Sequence, residues 1–312
     1  MTKLFDTNPR NQLIRRTIVG KKVVSFRSHH HAIIPWYECR QQLDQAPRLL
    51  SIDYHTDSHL PFLRHCVQEG RAICGGYEPS LELTDEIRRK RIGDIFLSDP
   101  NSIDAAVGDL WHDEHIQTAL QSDIIDVAFI IAERLQNELL SDQQIEINEK
   151  HRVSRGAFEE NDFNAGTVAF TVPSKAEPPF TYTIPKSRLV ILEDNTTYLN
   201  DEEYRAWRDD VIESRSLKER FDLIDTICST TQIDGFFERP FILDIDLDAF
   251  NTRQSISPRD CTVFYDLVRH CEMITIAQEP ECVESCQITG ENLTADWLES
   301  ELLVHITRAL EI

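Results

Sequence analysis

Six short apolar runs limit what this chain can fold into. They are KKVVSF (21–26), RLLSIDYH (48–55), IIDVAFII (124–131), SRLVILED (187–194), FILDIDLD (241–248) and EMITIAQE (272–279). Each is rich in Val and Ile and apolar on both faces, which is how strands of a parallel sheet covered on both sides read. Helical stretches lie between them. Asn200 with Glu203, and Ser216 with Glu219, form capping-box pairs ahead of EEYRAWRDDVIES and LKERFDLIDTICST. Ser257-Pro258 reads as an N-cap followed by proline at the first helical position, and TADWLESELLVHITRALEI as a long amphipathic helix. Strands alternating with helices predict an α/β sandwich with right-handed crossovers, mainly parallel, as a single domain over residues 1–312. One region breaks the alternation. Residues 145–186 hold Gly156, Gly166, Pro173, Pro178, Pro179 and Pro185, and are read as an insertion or lid in which GTVAFTVP and PFTYTIP form a short hairpin.

Charge narrows the function classes. The chain has 32 Lys and Arg against 54 Asp and Glu, a net charge of −22. Such a surface repels phosphate backbones and attracts a cationic ligand or a basic peptide, so nucleic acid is not expected as a partner. No window reaches the roughly 18 apolar residues of a membrane span. The first residues, MTKLFDTNPRNQLIRR, lack the apolar core of a signal peptide, so the expected location is cytoplasmic. The 8 Cys form no CxxC pair and read as reduced thiols. Cys282 and Cys286, four apart, meet on one helical face, where a zinc or redox role is the minor reading.

Three clusters carry chemistry, each at the C-terminal end of a predicted strand, where open α/β sheets bind ligands. SHHHAI follows the first run and supplies His29, with His30 as its rival. In SIDYHTDSH, Asp53, His55 and Asp57 alternate and so share one side of an extended segment. In LDIDLDAF, Asp244, Asp246 and Asp248 alternate at the end of an apolar strand. Carboxylates crowded in that way need cations or protons. His29, Asp53, His55, Asp57, Asp244 and Asp246 together supply four carboxylates and two imidazoles, a set that balances two divalent ions and suits manganese. The alternative for Asp248 or Asp246 is a cap on the following turn. Two such ions activate water for hydrolysis.

In order and spacing these motifs resemble the arginase–deacetylase superfamily. SIDYHTD is similar to the DAHxD motif of ureohydrolases and ILDIDLD to their SxDxD motif. The resemblance covers about residues 21–310 and implies a three-layer αβα sandwich. It implies that Asp53 and Asp244 bridge two ions, that His29, His55 and Asp57 each bind one, and that Asp246 completes the second. It implies a proton-shuttle role for His112 in LWHDEHIQTAL and a guanidinium anchor at Glu279 in QEPE, with Asp113 and Glu114 as further groups for a cationic side chain. The chain departs from the ureohydrolases by lacking GGDH, by Tyr54 inside the second motif, and by LDAF after the third. These departures look like the divergent arginase-related branch that includes bacterial peptide arginases. The activity implied is conversion of peptidyl arginine to ornithine and urea during modification of a ribosomal peptide. A deacetylase, an agmatinase-like amidinohydrolase, a phosphohydrolase and a non-enzymatic binding module are the alternatives. His151, His270 and His305 are read as surface or core residues, and His59, His65 and His115 as neighbours of the site that do not bind metal.

Overall fold

The fold is described from a computed structural model, for residues 9–132, 167–169, 180–185, 189–191 and 208–311. A seven-stranded sheet runs in the order β1 (Leu13–Ile18), β2 (Lys21–Phe26), β9 (Met273–Ala277), β8 (Phe241–Asp246), β3 (Arg48–Asp53), β4 (Ala128–Ala132) and β6 (Thr181–Ile184). All neighbours are parallel except β1 and β2, which form an antiparallel hairpin. Val19 and Gly20 turn that hairpin with φ of 47° and 88°. Two positive φ values match the right-handed twist of the flanking strands, and only glycine takes the second at no steric cost.

Alternate residues of the strands enter two separate cores. Leu50 and Ile52 of β3, and Leu243 and Ile245 of β8, join Leu217, Phe221 and Ile224 of α6 (Ser214–Thr231), Phe264 and Leu267 of α7 (Thr262–His270), and Leu298 and Leu302 of α9 (Ala295–Glu311). Leu49 of β3 and Ile242 of β8 face the other way. They pack with Ile33, Ile34 and Trp36 of α1 (Ile33–Arg40), Ile103 of α4 (Pro100–Asp109) and Ile116 of α5 (His115–Gln121). Burial on both faces is why these strands carry continuous apolar runs. The remaining helices are α2 (Leu63–Ile73), α3 (Leu81–Gly93) and α8 (Pro280–Cys286). No helix among the described residues is long and apolar enough to cross a membrane.

Five of the six apolar runs are strands of this sheet. The sixth, SRLVILED, is not: β7 (Leu189–Ile191) pairs antiparallel with β5 (Thr167–Ala169) in a separate two-stranded sheet. Among the described residues, PFTYTIP does not pair with GTVAFTVP. Its β6 joins the main sheet beside β4, where Tyr182 and Ile184 enter the first core. The rest of the 145–186 segment lies outside the described residues, as do Asn200 and Glu203.

Two helix starts also differ from expectation. Helix α6 begins at Ser214, two residues ahead of the capping box at Ser216, and the Ser214 hydroxyl accepts the Val263 amide (3.1 Å). Helix α7 begins at Thr262 rather than after Ser257. The Asp260 side chain, which accepts from the Thr262 amide (2.9 Å), supplies the N-terminal hydrogen bond. The strand β1 is a further addition. It is an edge strand of exposed and half-buried residues, and it carries no long apolar run.

Ile245, fully buried between the sheet and the α6–α7 core, tests this packing. Ile245→Ala should destabilise the protein by about 2–5 kcal/mol, read as a lower denaturation midpoint in urea with an unchanged m-value.

Candidate metal centre

Register brings the chemistry together. Phe26, Ala277, Asp246, Asp53 and Ala132 end five adjacent strands, at one edge of the sheet. Asp53 and Asp246 are each the sixth residue of their strand, and the pairing of Arg48 with Phe241 sets them side by side. Just beyond the strand ends come His29, His55, Asp57, Asp248 and Glu279.

Three aspartates share one arrangement. One oxygen of each accepts a backbone amide: Asp53 Oδ1 that of His55 (2.7 Å) and Asp246 Oδ1 that of Asp248 (3.1 Å), each fixing a local turn, and Asp248 Oδ1 that of Tyr54 (3.2 Å), which ties the end of β8 to that of β3. The other oxygen is turned inward. Asp53 Oδ2 and Asp248 Oδ2 are buried and make no hydrogen bond. Asp57 joins them from a left-handed backbone position, φ 43°, which aspartate tolerates better than most residues.

His29 lies at the centre and is fully buried. Its Nε2 is 2.8 Å from Asp244 Oδ2. Asp244 also accepts the hydroxyls of Ser51 (3.0 Å) and Thr275 (2.5 Å), and Thr275 is held by the Trp36 indole N–H (3.1 Å). A carboxylate so placed accepts, so Nε2 carries hydrogen and Nδ1 faces the cluster. Nδ1 lies 2.9 Å from Asp57 Oδ2, 3.1 Å from Asp246 Oδ2 and 3.6 Å from Asp53 Oδ2, without hydrogen-bond geometry to any of them. Four donor atoms thus converge on one point, and a carboxylate fixing the far nitrogen of a ligand histidine is the usual support of a metal site.

A second group adjoins the first. His55 Nδ1 is 3.0 Å from Asp248 Oδ2 and 4.0 Å from Asp53 Oδ1, so Asp53 lies between the two groups. Cys286 completes it: the ligand atoms of His55, Asp248 and Cys286 all lie within 4.8 Å of one another. The His55 side chain is 34% exposed while those of His29, Asp53, Asp246 and Asp248 are at most 2%, so the site opens on the His55 side. His115, buried against His29 with ring centroids 4.2 Å apart, donates from Nδ1 to the His112 carbonyl (3.0 Å), which leaves Nε2 a buried lone pair without a partner.

These positions correct the sequence reading at several residues. Asp244 does not reach the metal cluster. It sits two residues, roughly 6.7 Å of strand, below the sheet edge and acts through His29. The pair at the edge is Asp246 and Asp248, one step later in the same alternation. His30 packs against His31, with tilted rings 4.4 Å apart, rather than entering the cluster. Glu114 is a loop brace, its two oxygens accepting the amides of Arg64 and Trp111 (both 3.0 Å). Asp113 pairs with His59 (3.0 Å). Cys282 and Cys286 do not act as a pair. Cys282 donates to Glu279 Oε2 (3.3 Å), and only Cys286 joins a candidate metal group. Glu279 is buried at the site, with a left-handed backbone (φ 32°) and Oε1 accepting the His29 amide (2.8 Å).

Ionisation follows from this crowding. Burial first, then Asp57, Asp248 and Asp246, push the Asp53 carboxyl well above its ordinary range, and burial with Asp248 does the same to Asp246. Burial also raises Glu279. For His29 burial opposes the charged form, but Asp244, Asp246 and Asp57 outweigh it and hold the imidazole well above the ordinary histidine value. Burial lowers His115 well below that value, and takes His30 down to about 3. Burial and then the nearby carboxylates, Asp248 before Asp246, push the Cys286 thiol up to about 12. A comparison with protein-family models finds no match, and a comparison with curated proteins finds none either.

The signs of these shifts give a stability profile for the metal-free protein. Raised Asp53, Asp246, Glu279 and His29 mean that the folded state binds more protons than the unfolded one, so their contribution is lost as pH rises. Lowered His30 and His115 contribute stability that is lost as pH falls below the ordinary histidine value of about 6.5. Above that value only the raised groups still change their proton binding, so the Tm should fall towards alkaline pH. Asp53→Asn, whose amide can donate to the facing carboxylates, should flatten the alkaline limb, by about 2 °C for each kcal/mol regained. Scanning calorimetry in chelator checks both.

Proposed function

We propose that this chain is a two-metal hydrolase that removes urea from the guanidinium of an arginine side chain presented in a peptide, leaving ornithine. The observation that carries the reading is the pair of adjoining donor groups sharing Asp53, one of His29, Asp53, Asp57 and Asp246, the other of His55 and Asp248. The donor chemistry fits divalent cations, because buried oxygens of Asp53 and Asp248 lack any partner and unpaired buried carboxylates are costly. An arginase/deacetylase-like three-layer sandwich is the finer fold reading, supported by the two cores and by the site at the C-terminal strand ends.

When bound, the ions supply Lewis acidity and an activated water near neutral pH. The side chains of this protein supply the rest. Glu279 holds the guanidinium by charge-assisted hydrogen bonds, each of its oxygens having a second lone pair beyond those used by His29 and Cys282. The arriving cation offsets the burial that otherwise favours a protonated Glu279. Asp244 keeps His29 Nδ1 directed at the cluster. His112, half-buried next to Trp111 with ring centroids 5.7 Å apart, passes a proton to the departing amine. The net charge of −22 favours a basic peptide as the encounter partner. One observation favours a second reading, amide hydrolysis at the same centre: both Glu279 oxygens already have partners inside the protein.

Metal-loaded protein incubated with an arginine-containing peptide should remove about 42 Da per arginine, the mass of CH₂N₂ leaving as hydrolysis turns guanidinium into amine. Urea should be released. Glu279→Gln should lower kcat/KM on that peptide by about 100-fold or more, with the metal content unchanged. Conversion of free arginine at an equal rate would shift the reading to an ordinary ureohydrolase. Deacylation of an acyl-lysine peptide, with arginine untouched, would replace it by amide hydrolysis.

A further inference from the structure

We propose that Cys286 is a thiolate ligand at the second metal position, which is built from His55, Asp248 and Cys286 and takes a thiophilic ion such as zinc, cobalt(II) or iron(II) in preference to manganese. This deepens the two-metal reading above and rests only on its metal-binding part, not on the substrate. It also revises the expectation of manganese at both positions.

Three observations converge. The ligand atoms of His55, Asp248 and Cys286 lie within 4.8 Å of one another, and His55 Nδ1 and Asp248 Oδ2 are 3.0 Å apart. Tetrahedral donors at ordinary zinc distances are separated by roughly 3.3–3.7 Å, so a movement of about 1 Å by the half-buried sulfur closes the set. Asp248 is buried, its Oδ2 makes no hydrogen bond, and its Oδ1 is pinned by the Tyr54 amide, so the free oxygen is held towards the position. The helix that delivers the sulfur is itself anchored at the site. It starts at Pro280 directly after Glu279, and Cys282, one turn before Cys286, is tied to Glu279. The two thiols therefore have separate roles. Cys282 supports the carboxylate, and Cys286 faces the metal position.

Sulfur changes which ion is preferred. Carboxylate and water suit manganese, whereas thiolate ligation selects softer ions. Binding breaks the S–H bond of Cys286, forms the sulfur–metal bond and releases the proton to solvent. The two positions would then differ, a hard oxygen-rich one around Asp53, Asp57 and Asp246 and a softer one at the open side.

The test is a cobalt(II) titration of the full chain, stripped by chelator and kept reduced. Wild type should show d–d absorption together with a thiolate-to-cobalt charge-transfer band in the near ultraviolet. Cys286→Ser should lose the charge-transfer band and keep d–d absorption from the first position. It should also weaken zinc binding at the second position by at least about tenfold, the lower end of what even changes to outer partners of a metal produce. Cys282→Ser should keep the band. Cobalt d–d absorption without a charge-transfer band in wild type, or a band that survives Cys286→Ser, would overturn the thiolate while leaving a metal centre. No cobalt absorption at all would overturn the thiolate and the two-metal reading together.

Discussion

Asp53, Asp246 and Asp248 each divide their two oxygens between different tasks. One accepts a backbone amide at the strand ends, and the other faces inward among like charges. The arrangement is stable only if positive charge sits among the inner oxygens. In the metal-free protein the raised His29 and carboxyls favour retained protons there. Divalent ions would supply the positive charge more completely. The surrounding structure serves this demand. Asp244 holds the far side of His29, Ser51, Thr275 and Trp36 hold Asp244, and the apolar cores on both sheet faces hold the strands in register.

Much of this was legible in the residues. Apolar runs mark five main-sheet strands, because a strand buried on both faces can carry little else. His29, Asp53, His55, Asp57 and Asp246 all reach the strand-end cluster, because alternation and placement point the same way. The error at Asp244 was one of counting. Aspartates at 244, 246 and 248 offer two pairs of identical spacing, and only register decides between them. Both RLLSID and FILDID reach an aspartate at their sixth residue, and that match was the available signal for Asp246. Other features depend on contacts that a one-dimensional pattern does not carry. SRLVILED has the composition of a central strand, yet among the described residues its Leu189–Ile191 pairs with Thr167–Ala169 and not with the main sheet. His115 reaches His29 from a helix some 85 residues away by packing, and Cys286 reaches His55 through the orientation of one short helix. At the start of α6 the Ser214 hydroxyl likewise accepts an amide from elsewhere in the fold, that of Val263, whereas the start of α7 rests on the local bond from the Thr262 amide to Asp260.

The site and the proposed chemistry constrain each other. Buried carboxylates that resist ionisation bind cations well, and a guanidinium is a cation that stays charged at any accessible pH. Under the proposed reading, Glu279, raised by burial, would gain from such a partner. The opening on the His55 side would give a peptide-borne side chain a route to the centre, and the net charge of −22 would favour a basic segment. A sulfur ligand at that open position would place the softer ion nearest the incoming substrate.

The most direct measurement is the number of divalent ions held per folded chain, by native mass spectrometry after loading and exhaustive desalting. The account predicts two in the wild type, and none retained when Asp53, which lies between both donor groups, is changed to Asn. A wild-type chain that retains no ion, or an Asp53→Asn variant that still retains two, would contradict it.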